Sequence, residues 1–346
     1  MKISQLIKGG ITALKANVYG YKAPLGVYIH LTESCNLNCV YCDYNELAKR
    51  DGNKLTADFV IDCIDKLAAL GTVKLNLTGG EPLLIDGIGR IIDFAKNKGM
   101  FVVMSSNGLL IKDKIDEIKN LDLLMISFDG TEAAHDSLRG KGTHKKVMGA
   151  MEILRNNNIK FFTTTVLNTK TSGEIDYIVK NAENFHTEAN FTLIQFLPDE
   201  NNYILLPSKE RISQLIPTDA EIRGHVRRLI ELKESGKPIG STMQYLEFLL
   251  KWEDYNQLFS SKEYGFRCWA GSLYCHLYAD GKLYSCGHCI GAIEGQDVLT
   301  LGVKNAFNRL KKLPNCNSCR VACDTENSLI YSLNPGAIYN WLRYKI

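Results

Sequence analysis

The chain has 346 residues, 45% of them hydrophobic and 23% charged, and a formal net charge of +3. This composition is typical of a folded globular protein with one large core and an appended domain. No dense basic block favours nucleic-acid binding, and no apolar run reaches the about 18 residues of a membrane-spanning helix, so neither nucleic acid nor a membrane is expected as a partner.

The first predicted element is an N-terminal helix within residues 1–25. Lys8 and the Gly9–Gly10 pair interrupt any signal-peptide core. The pattern predicts a helix that packs its apolar face on the rest of the protein, with lipid contact as the alternative. The apolar residues that fall roughly on this face are Ile3, Leu6, Ile7, Ile11 and Leu14.

Residues 26–205 are predicted to alternate between strands and helices. Six short apolar runs, from "GVYIHLT" to "ANFTLIQF", are separated mostly by amphipathic helical patterns. This alternation predicts an α/β fold, a parallel sheet with outer helices that is either open or curled into a partial (β/α)6 TIM-type barrel. Cys63 shares an apolar helical face and is expected to be a small core residue. The helical patterns cover residues 55–70, 85–98, 112–119, 144–157 and 171–184.

Three further segments complete the predicted organisation. Residues 206–263 have a charged helical pattern and are predicted to form a helical bridge. Residues 264–326 are rich in turns, Gly and Cys, and "YADGKLYS" within them predicts a hairpin with its turn at Asp280 and Gly281. Such a segment builds little core, and metal binding is the usual source of its stability. Residues 327–346 form a C-terminal tail.

Cysteine is the unusual component of this sequence. Eleven cysteines without an export signal indicate a reducing compartment, here the cytoplasm, where thiolates are free to bind metal. Cys35, Cys39 and Cys42 lie within eight residues, after the first predicted strand. Three ligands without a fourth close by indicate a metal centre that leaves one position open, and zinc is the competing interpretation.

Polar motifs follow the next three predicted strands, "GGEP" after the second, "SSNG" after the third and "DG" after the fourth. The carboxyl ends of parallel strands carry the chemistry in such folds, so we expect these motifs to lie together. Their candidate residues, with one basic residue shortly downstream, are Gly79, Gly80, Glu81, Asn107, Ser127, Asp129 and Arg139.

The CxxxCxxC spacing, with Tyr41 before its last cysteine, resembles the signature of the radical S-adenosylmethionine (radical SAM) superfamily. The resemblance implies a [4Fe–4S] cluster on the three thiolates, whose fourth iron binds the amine and carboxylate of SAM, and an electron donor such as flavodoxin or ferredoxin. It places the glycines and Glu81 near the methionine amine, Ser127 near the ribose and Arg139 on the carboxylate. Tyr41 is expected near the adenine, and Asn107 and Asp129 are expected at the same rim.

The late cysteines resemble those of the SPASM and twitch extensions, which implies a C-terminal Cys-rich auxiliary-cluster domain. One cysteine of the full SPASM pattern is missing, which favours a twitch-like domain with one auxiliary cluster, although two clusters remain an alternative. Zinc is again the competing metal. The expected ligands are Cys268, Cys286, Cys316 and Cys319, with Cys323 as a possible replacement.

The remaining groups and the substrate stay open at this point. Cys275, Cys289 and His288 are the weak candidates for a catalytic role, such as hydrogen donation by a thiol, and a structural role is the alternative for each. We expect a small-molecule substrate, a sugar, nucleotide or related intermediate that is dehydrogenated, epimerised or subjected to elimination. A maturase that modifies a ribosomally made peptide is the alternative, but the segment before the first strand is shorter than the leader-binding domain of many such enzymes. A non-enzymatic Fe–S or zinc scaffold is the distant third interpretation.

Overall fold

Six parallel strands form one curved sheet in the computed structural model, which describes residues 3–50, 52–196 and 206–342. They lie side by side in chain order, as the alternating pattern predicts, and a further strand pairs with the first one. The strands are β1 (Gly26–His30), β2 (Lys74–Thr78), β3 (Phe101–Ser106), β4 (Leu123–Ser127), β5 (Phe161–Leu167), β6 (Glu188–Leu193), β7 (Phe259–Ser260), β8 (Tyr274–Leu277), β9 (Lys282–Tyr284), β10 (Gln296–Asp297) and β11 (Ser318–Cys319).

Most connections between the first six strands contain a helix that packs apolar residues on the outside of the sheet. In the helix that directly precedes β2, Val60, Cys63, Ile64 and Leu67 are buried, and the Thr56 hydroxyl caps its first turn. The helices are α1 (Ile3–Tyr19), α2 (Tyr44–Arg50), α3 (Ala57–Ala69), α4 (Ile88–Asn97), α5 (Ile111–Ile118), α6 (Glu132–Arg139), α7 (Thr143–Asn156), α8 (Ile175–Asn184), α9 (Asp219–Glu234), α10 (Met243–Lys251), α11 (Val298–Leu301), α12 (Val303–Asn308), α13 (Ala322–Tyr331) and α14 (Pro335–Leu342).

The Cys-rich segment is joined to the barrel through its own hairpin. Strand β8 pairs in parallel with β1, Gly26 opposite Tyr274, and β9 returns antiparallel beside β8. The turn between them contains Asp280 and Gly281, whose φ of 79° suits glycine. The predicted hairpin is therefore confirmed, and it extends the sheet to nine strands.

Segment 264–326 builds more apolar core than its sequence suggests. Trp269 and Tyr274 are 2% and 0% exposed, and they form a cluster with the start of the barrel. Helix α13 runs across the predicted boundary at residue 326, and α14 packs on α13 and α10. The proposed domain boundaries remain a prediction.

Helix α1 packs on the barrel, but the face predicted to do so points the other way. Ile7, Ile11 and Leu14 are 58%, 50% and 52% exposed, whereas Ala13 and Ala16 are buried. The prediction assumed that a helix contacts its neighbour through its largest apolar residues. In α1 the contact is made through small residues instead, and they allow the helix to lie closer to the barrel.

Candidate active site and auxiliary cysteine site

The loop after β1 brings Cys35, Cys39 and Cys42 to the carboxyl edge of the sheet as free, partly buried thiols. The carboxylate of Glu33, 1% exposed, fixes the loop by accepting hydrogen bonds from the Asn53 amide at 2.8 Å and the Tyr278 hydroxyl at 2.7 Å. Burial raises the pKa of the Cys42 thiol to about 12. A bound cationic cluster would supply the charge that a thiolate needs here.

Gly79 and Gly80 let the second strand end directly against this loop. The Gly80 amide donates to the Thr32 carbonyl at 2.8 Å and the Glu81 amide to the Ser34 carbonyl at 2.9 Å. A Cβ on Gly80 would overlap the Ser34 carbonyl, and Gly79 has a φ of 133°. The glycines therefore allow a close backbone contact with the cysteine loop, and the predicted contact of their backbone with SAM remains a prediction.

Glu81 lies beneath the site and is 0% exposed. One carboxylate oxygen accepts from the Leu83 amide and the Ser106 hydroxyl, and the other accepts from the Asn107 amide at 2.8 Å. Burial raises its pKa to about 7. Both oxygens have partners inside the protein, so Glu81 ties the ends of β2 and β3 together, and its contact with a SAM ammonium stays a prediction.

Asn107 links the third strand to the cysteine loop. Its side-chain amide donates to the Asn36 side-chain oxygen at 2.7 Å and lies 3.8 Å from the Cys35 sulfur. Its own oxygen accepts from the Leu109 amide at 3.0 Å. The residue therefore contacts a thiol that the sequence predicts to bind the cluster.

Asp129, Arg139 and Tyr41 form one buried group beside Cys39. A single Asp129 oxygen accepts from the Arg139 Nε and the Tyr41 hydroxyl, each at 2.6 Å. An Arg139 terminal nitrogen lies 3.9 Å from the Cys39 sulfur, and the guanidinium lies 5.5 Å from the Tyr41 ring centre. Although burial opposes the charged form, Asp129 raises the pKa of Arg139. The structure brings together three residues that the sequence placed at the SAM site.

Ser127 ends β4 at the rim of a cavity of about 640 Å³ inside the barrel. Aromatic and aliphatic side chains such as Phe101, Met125 and Phe162 line much of its wall. The same cavity reaches Gly287 and His288, beside the late cysteines. It therefore extends from the carboxyl end of β4 to the segment that carries the late cysteines.

Five late cysteines line a second, smaller cavity: Cys268, Cys286, Cys289, Cys316 and Cys319. The four expected auxiliary ligands are thus brought together, and a single 3₁₀ turn (Gly287–Cys289) adds Cys289, whose sulfur lies 3.5 Å from that of Cys286. Across the described ranges no three His, Cys, Asp or Glu residues converge tightly enough for a single metal ion. The five late thiols line the wall of the cavity instead.

The remaining candidates occupy different places. Cys275 is 0% exposed in the apolar core. All eleven cysteines lie in the described part of the chain, and Cys323 is the one that lines the barrel cavity. His288 lies between the cavities, with Nε2 3.3 Å from the Gln195 side-chain oxygen and Nδ1 3.6 Å from an Asp324 oxygen.

The sequence analysis missed a chain of buried rings along β1. The Tyr44 hydroxyl lies 2.8 Å from His30 Nδ1, and His30 Nε2 lies 2.9 Å from His276 Nδ1. His276 stacks on Tyr28 at 4.5 Å, and its Nε2 has no partner among the described residues. His30 is the last residue of β1, directly before the cysteine loop. A histidine at this position was the feature of the sequence that could have indicated the buried chain of rings.

These features define the class of protein. A three-thiol loop with an open position, a glycine turn against it and a buried Arg–Asp–Tyr group at a barrel rim fit a [4Fe–4S] cluster that binds SAM. The late thiols fit an auxiliary cluster. The protein is therefore an iron–sulfur enzyme that uses SAM.

Comparison with known proteins gives the family. The model of the Radical SAM superfamily matches residues 29–182. AdoMet-dependent heme synthase of Methanosarcina barkeri is 26% identical over 77% of each chain. The sporulation killing factor maturation protein SkfB of Bacillus subtilis is 32% identical over 46% of this chain and 40% of its own.

Among solved structures, Streptococcus suis SuiB bound to its precursor peptide SuiA superimposes with a TM-score of 0.63 at 15% identity, over 88% of this chain and 70% of SuiB. This likeness shows the fold. The chain belongs to the radical SAM superfamily, in its SPASM/twitch branch, and it uses SAM and [4Fe–4S] clusters. None of the described helices combines the length and apolarity needed to cross a membrane.

Proposed function

We propose that this enzyme is a maturase that oxidatively modifies a ribosomally made peptide in the cytoplasm. The observation that carries the proposal is the cavity that extends from Ser127, the residue proposed to hold the ribose, to His288 beside the late cysteines. Its volume of about 640 Å³ accommodates a side chain together with its neighbouring backbone. Similarity to SkfB, named as a maturation protein, supports this substrate class.

The bound cluster and SAM would supply a 5′-deoxyadenosyl radical, which removes one hydrogen atom from the substrate. The chain's own residues would position the reactants. Arg139 would grip the SAM carboxylate, Ser127 would hold the ribose, and Tyr41 would pack near the adenine. The apolar wall of the cavity would exclude water from the substrate carbon.

Completing the oxidation removes a proton and one electron from the substrate radical. A cluster held by the late thiols would take the electron, and His276 is the residue that we propose to accept the proton. Its Nε2 is buried at the cavity wall without a partner in the part of the chain that the structure describes, and its ring lies within 3.6 Å of a Cβ built on Gly287, next to Cys286. The hydrogen bond to His30 fixes the ring orientation. His276→Phe should keep its iron content and form 5′-deoxyadenosine, yet fail to complete the product; full product formation by this variant would exclude the role.

The second candidate function is modification of a small molecule, which was the first expectation from the sequence. Similarity to maturases supports a peptide substrate better than the sugar or nucleotide expected from the sequence. One observation favours a different small molecule, a tetrapyrrole, because the relative named heme synthase aligns over 77% of both chains.

The test is anaerobic turnover with SAM and dithionite. The assay tests three kinds of substrate. The first is a set of synthetic peptides encoded by short reading frames beside the gene, and the others are a porphyrin and a nucleotide. We expect one peptide to lose hydrogen by mass spectrometry, and deuterium from that labelled peptide to appear in 5′-deoxyadenosine. Transfer of deuterium from a labelled porphyrin or nucleotide, with none from the peptides, would overturn the proposal.

A further inference from the structure

Helix α1 is attached to the barrel through small side chains. Ala13 and Ala16 are 4% and 0% exposed and lie in one apolar cluster with Val73. The Asn17 side-chain amide donates to the Tyr331 carbonyl at 2.8 Å. Small residues and a hydrogen bond hold this face, so the contact with the barrel uses none of the large aliphatic residues described next.

The opposite face of α1 presents an apolar stripe to solvent. Ile7, Ile11, Leu14 and Val18 are spaced by four, three and four residues, which aligns them along one side of a helix. We call these four residues the outer stripe; they are 58%, 50%, 52% and 61% exposed. Contiguous exposed apolar surface of this kind marks an interaction site more often than scattered exposed residues do.

The charge around the outer stripe indicates its partner. Residues 1–32 contain four lysines and no Asp or Glu, and since the whole chain has a net charge of +3, the remaining residues have a net charge of −1. Lys8, Lys15 and Lys22 are exposed, and the first two are adjacent in sequence to Ile7 and Leu14. The positive charge of the protein is thus concentrated beside its exposed apolar stripe.

We propose that the outer stripe docks the enzyme on a membrane surface that contains anionic lipids. The helix would lie in the membrane plane, with its aliphatic side chains at the boundary between headgroups and acyl chains and its lysines among the headgroups. Tyr19 and Tyr21, 83% and 51% exposed at the end of the helix, suit the same interface. Self-association through the stripe is disfavoured, because it would bring two lysine-rich segments together.

The position of α1 keeps the active site free in this arrangement. The helix packs near the start of β2 and β3, since a Cβ on Gly9 would lie 3.6 Å from Val73 and Gln5 contacts the Lys98 carbonyl at 3.5 Å. The cysteine loop follows the opposite, carboxyl end of β1. Docking of this kind is the lipid-contact alternative that the sequence left open for the N-terminal helix, and it requires no membrane-spanning segment.

The test is flotation of the full-length reconstituted enzyme with vesicles of phosphatidylcholine alone or mixed with phosphatidylglycerol. We expect flotation with the mixed vesicles, weakened by salt. The triple variant Lys8→Gln, Lys15→Gln and Lys22→Gln should bind about a hundredfold more weakly. Ile7→Ser with Ile11→Ser and Val18→Ser should abolish flotation, because the apolar contact is removed.

Matched controls separate the stripe from general surface effects. Leu299→Ser removes an aliphatic side chain that is 79% exposed elsewhere, and Lys304→Gln removes an exposed charge beyond α1. Both controls should float like the parent, and every variant should keep the parent's circular dichroism. Absence of flotation with both kinds of vesicle would overturn the proposal. A doubled mass in light scattering, reversed only by the variant with Ile7, Ile11 and Val18 changed to Ser, would also overturn it and would assign the outer stripe to a second copy of the chain.

Discussion

The loop that carries Cys35, Cys39 and Cys42 and the cavity lined by the late cysteines hold their thiols by different means. The loop is fixed by backbone contacts from the glycine turn and by Glu33, and its thiols remain partly exposed at the sheet edge. The late cavity lies in an apolar cluster, where Cys286 and Cys289 are 8% and 1% exposed, while Cys316 and Cys319 are half-buried like the loop thiols. A loop at the sheet edge suits the proposed cluster that binds and releases SAM, and a cavity lined by five thiols suits the proposed cluster that stays fully ligated.

The largest expected effect is a loss of iron, which distinguishes the late cysteines that bind a cluster from those that do not. The reconstituted protein should bind about eight irons per chain, two [4Fe–4S] clusters. Cys268→Ala with Cys316→Ala should remove about half of them, because both thiols line the late cavity. Iron analysis and absorbance measure this directly.

Cys275→Ala and Cys323→Ala are the matched controls and should keep all iron, since one residue is in the core and the other faces the barrel cavity. Cys289→Ala shows whether the fifth thiol is a ligand or a neighbour. Loss of half the iron from the Cys323 variant would contradict the placement of the late site, and it would revive Cys323 as a ligand.

The next effect concerns the buried group at the loop site. Arg139→Ala leaves the buried Asp129 carboxylate without its cationic partner, so we expect the free energy of unfolding to fall by about 3–5 kcal/mol. SAM affinity should fall by more than about tenfold, because a charge-assisted contact is lost. Denaturation and equilibrium binding measure the two quantities.

Arg228→Ala is the control for this change, because Arg228 forms its ion pair with Asp176 on the surface, where the arginine side chain is 46% exposed. It should cost about 1 kcal/mol or less and leave SAM binding intact. A SAM dissociation constant unchanged by Arg139→Ala would exclude the role assigned to this residue.

These sites were not equally predictable from the sequence. The loop site is a short contiguous motif, and Tyr41, Asp129 and Arg139 meet because parallel strands bring their ends to one edge. The late site draws on residues 268 to 319, so the sequence left Cys289 open between a ligand, a structural residue and a catalytic thiol, and only the fold shows that it lines the late cavity. The His30–His276 contact joins residues 246 positions apart and required the pairing of β8 with β1.

Gly80→Ala tests whether close backbone contact with the glycine turn holds the cysteine loop in place. The new Cβ would overlap the Ser34 carbonyl, so we expect a cost of about 1–3 kcal/mol and selective loss of iron from the loop site. Gly224→Ala, in a helix with nothing near the added methyl group, should be neutral or stabilising. Equal iron content in both variants would contradict the claim.

The smallest effect compares two carboxyls, the buried Glu81 at the loop site and the half-buried Glu326 at the barrel cavity. Burial raises the pKa of Glu326 in α13 to about 7, above its ordinary 4.5. The folded state therefore holds a proton that the unfolded state has released, and stability falls as pH rises between those values. Glu326→Gln should remove this slope and raise the unfolding free energy at about pH 8 by about 2 kcal/mol.

Glu81→Gln should behave in the opposite way. Its two oxygens accept from the amides of Leu83 and Asn107 and from Ser106, and an amide group would face one of these donors with another donor. Chemical denaturation at several pH values distinguishes the two variants. Stabilisation by Glu81→Gln would contradict its role as the tie between β2 and β3.

The division of work between the two sites is tested most directly by 5′-deoxyadenosine formation under anaerobic conditions with SAM and dithionite. The parent enzyme and the Cys268→Ala, Cys286→Ala variant should both cleave SAM, because the loop site is intact in each. The variant with Cys35, Cys39 and Cys42 all changed to Ala should keep about four irons and form no 5′-deoxyadenosine. A triple variant that keeps all its iron and still cleaves SAM would contradict the account.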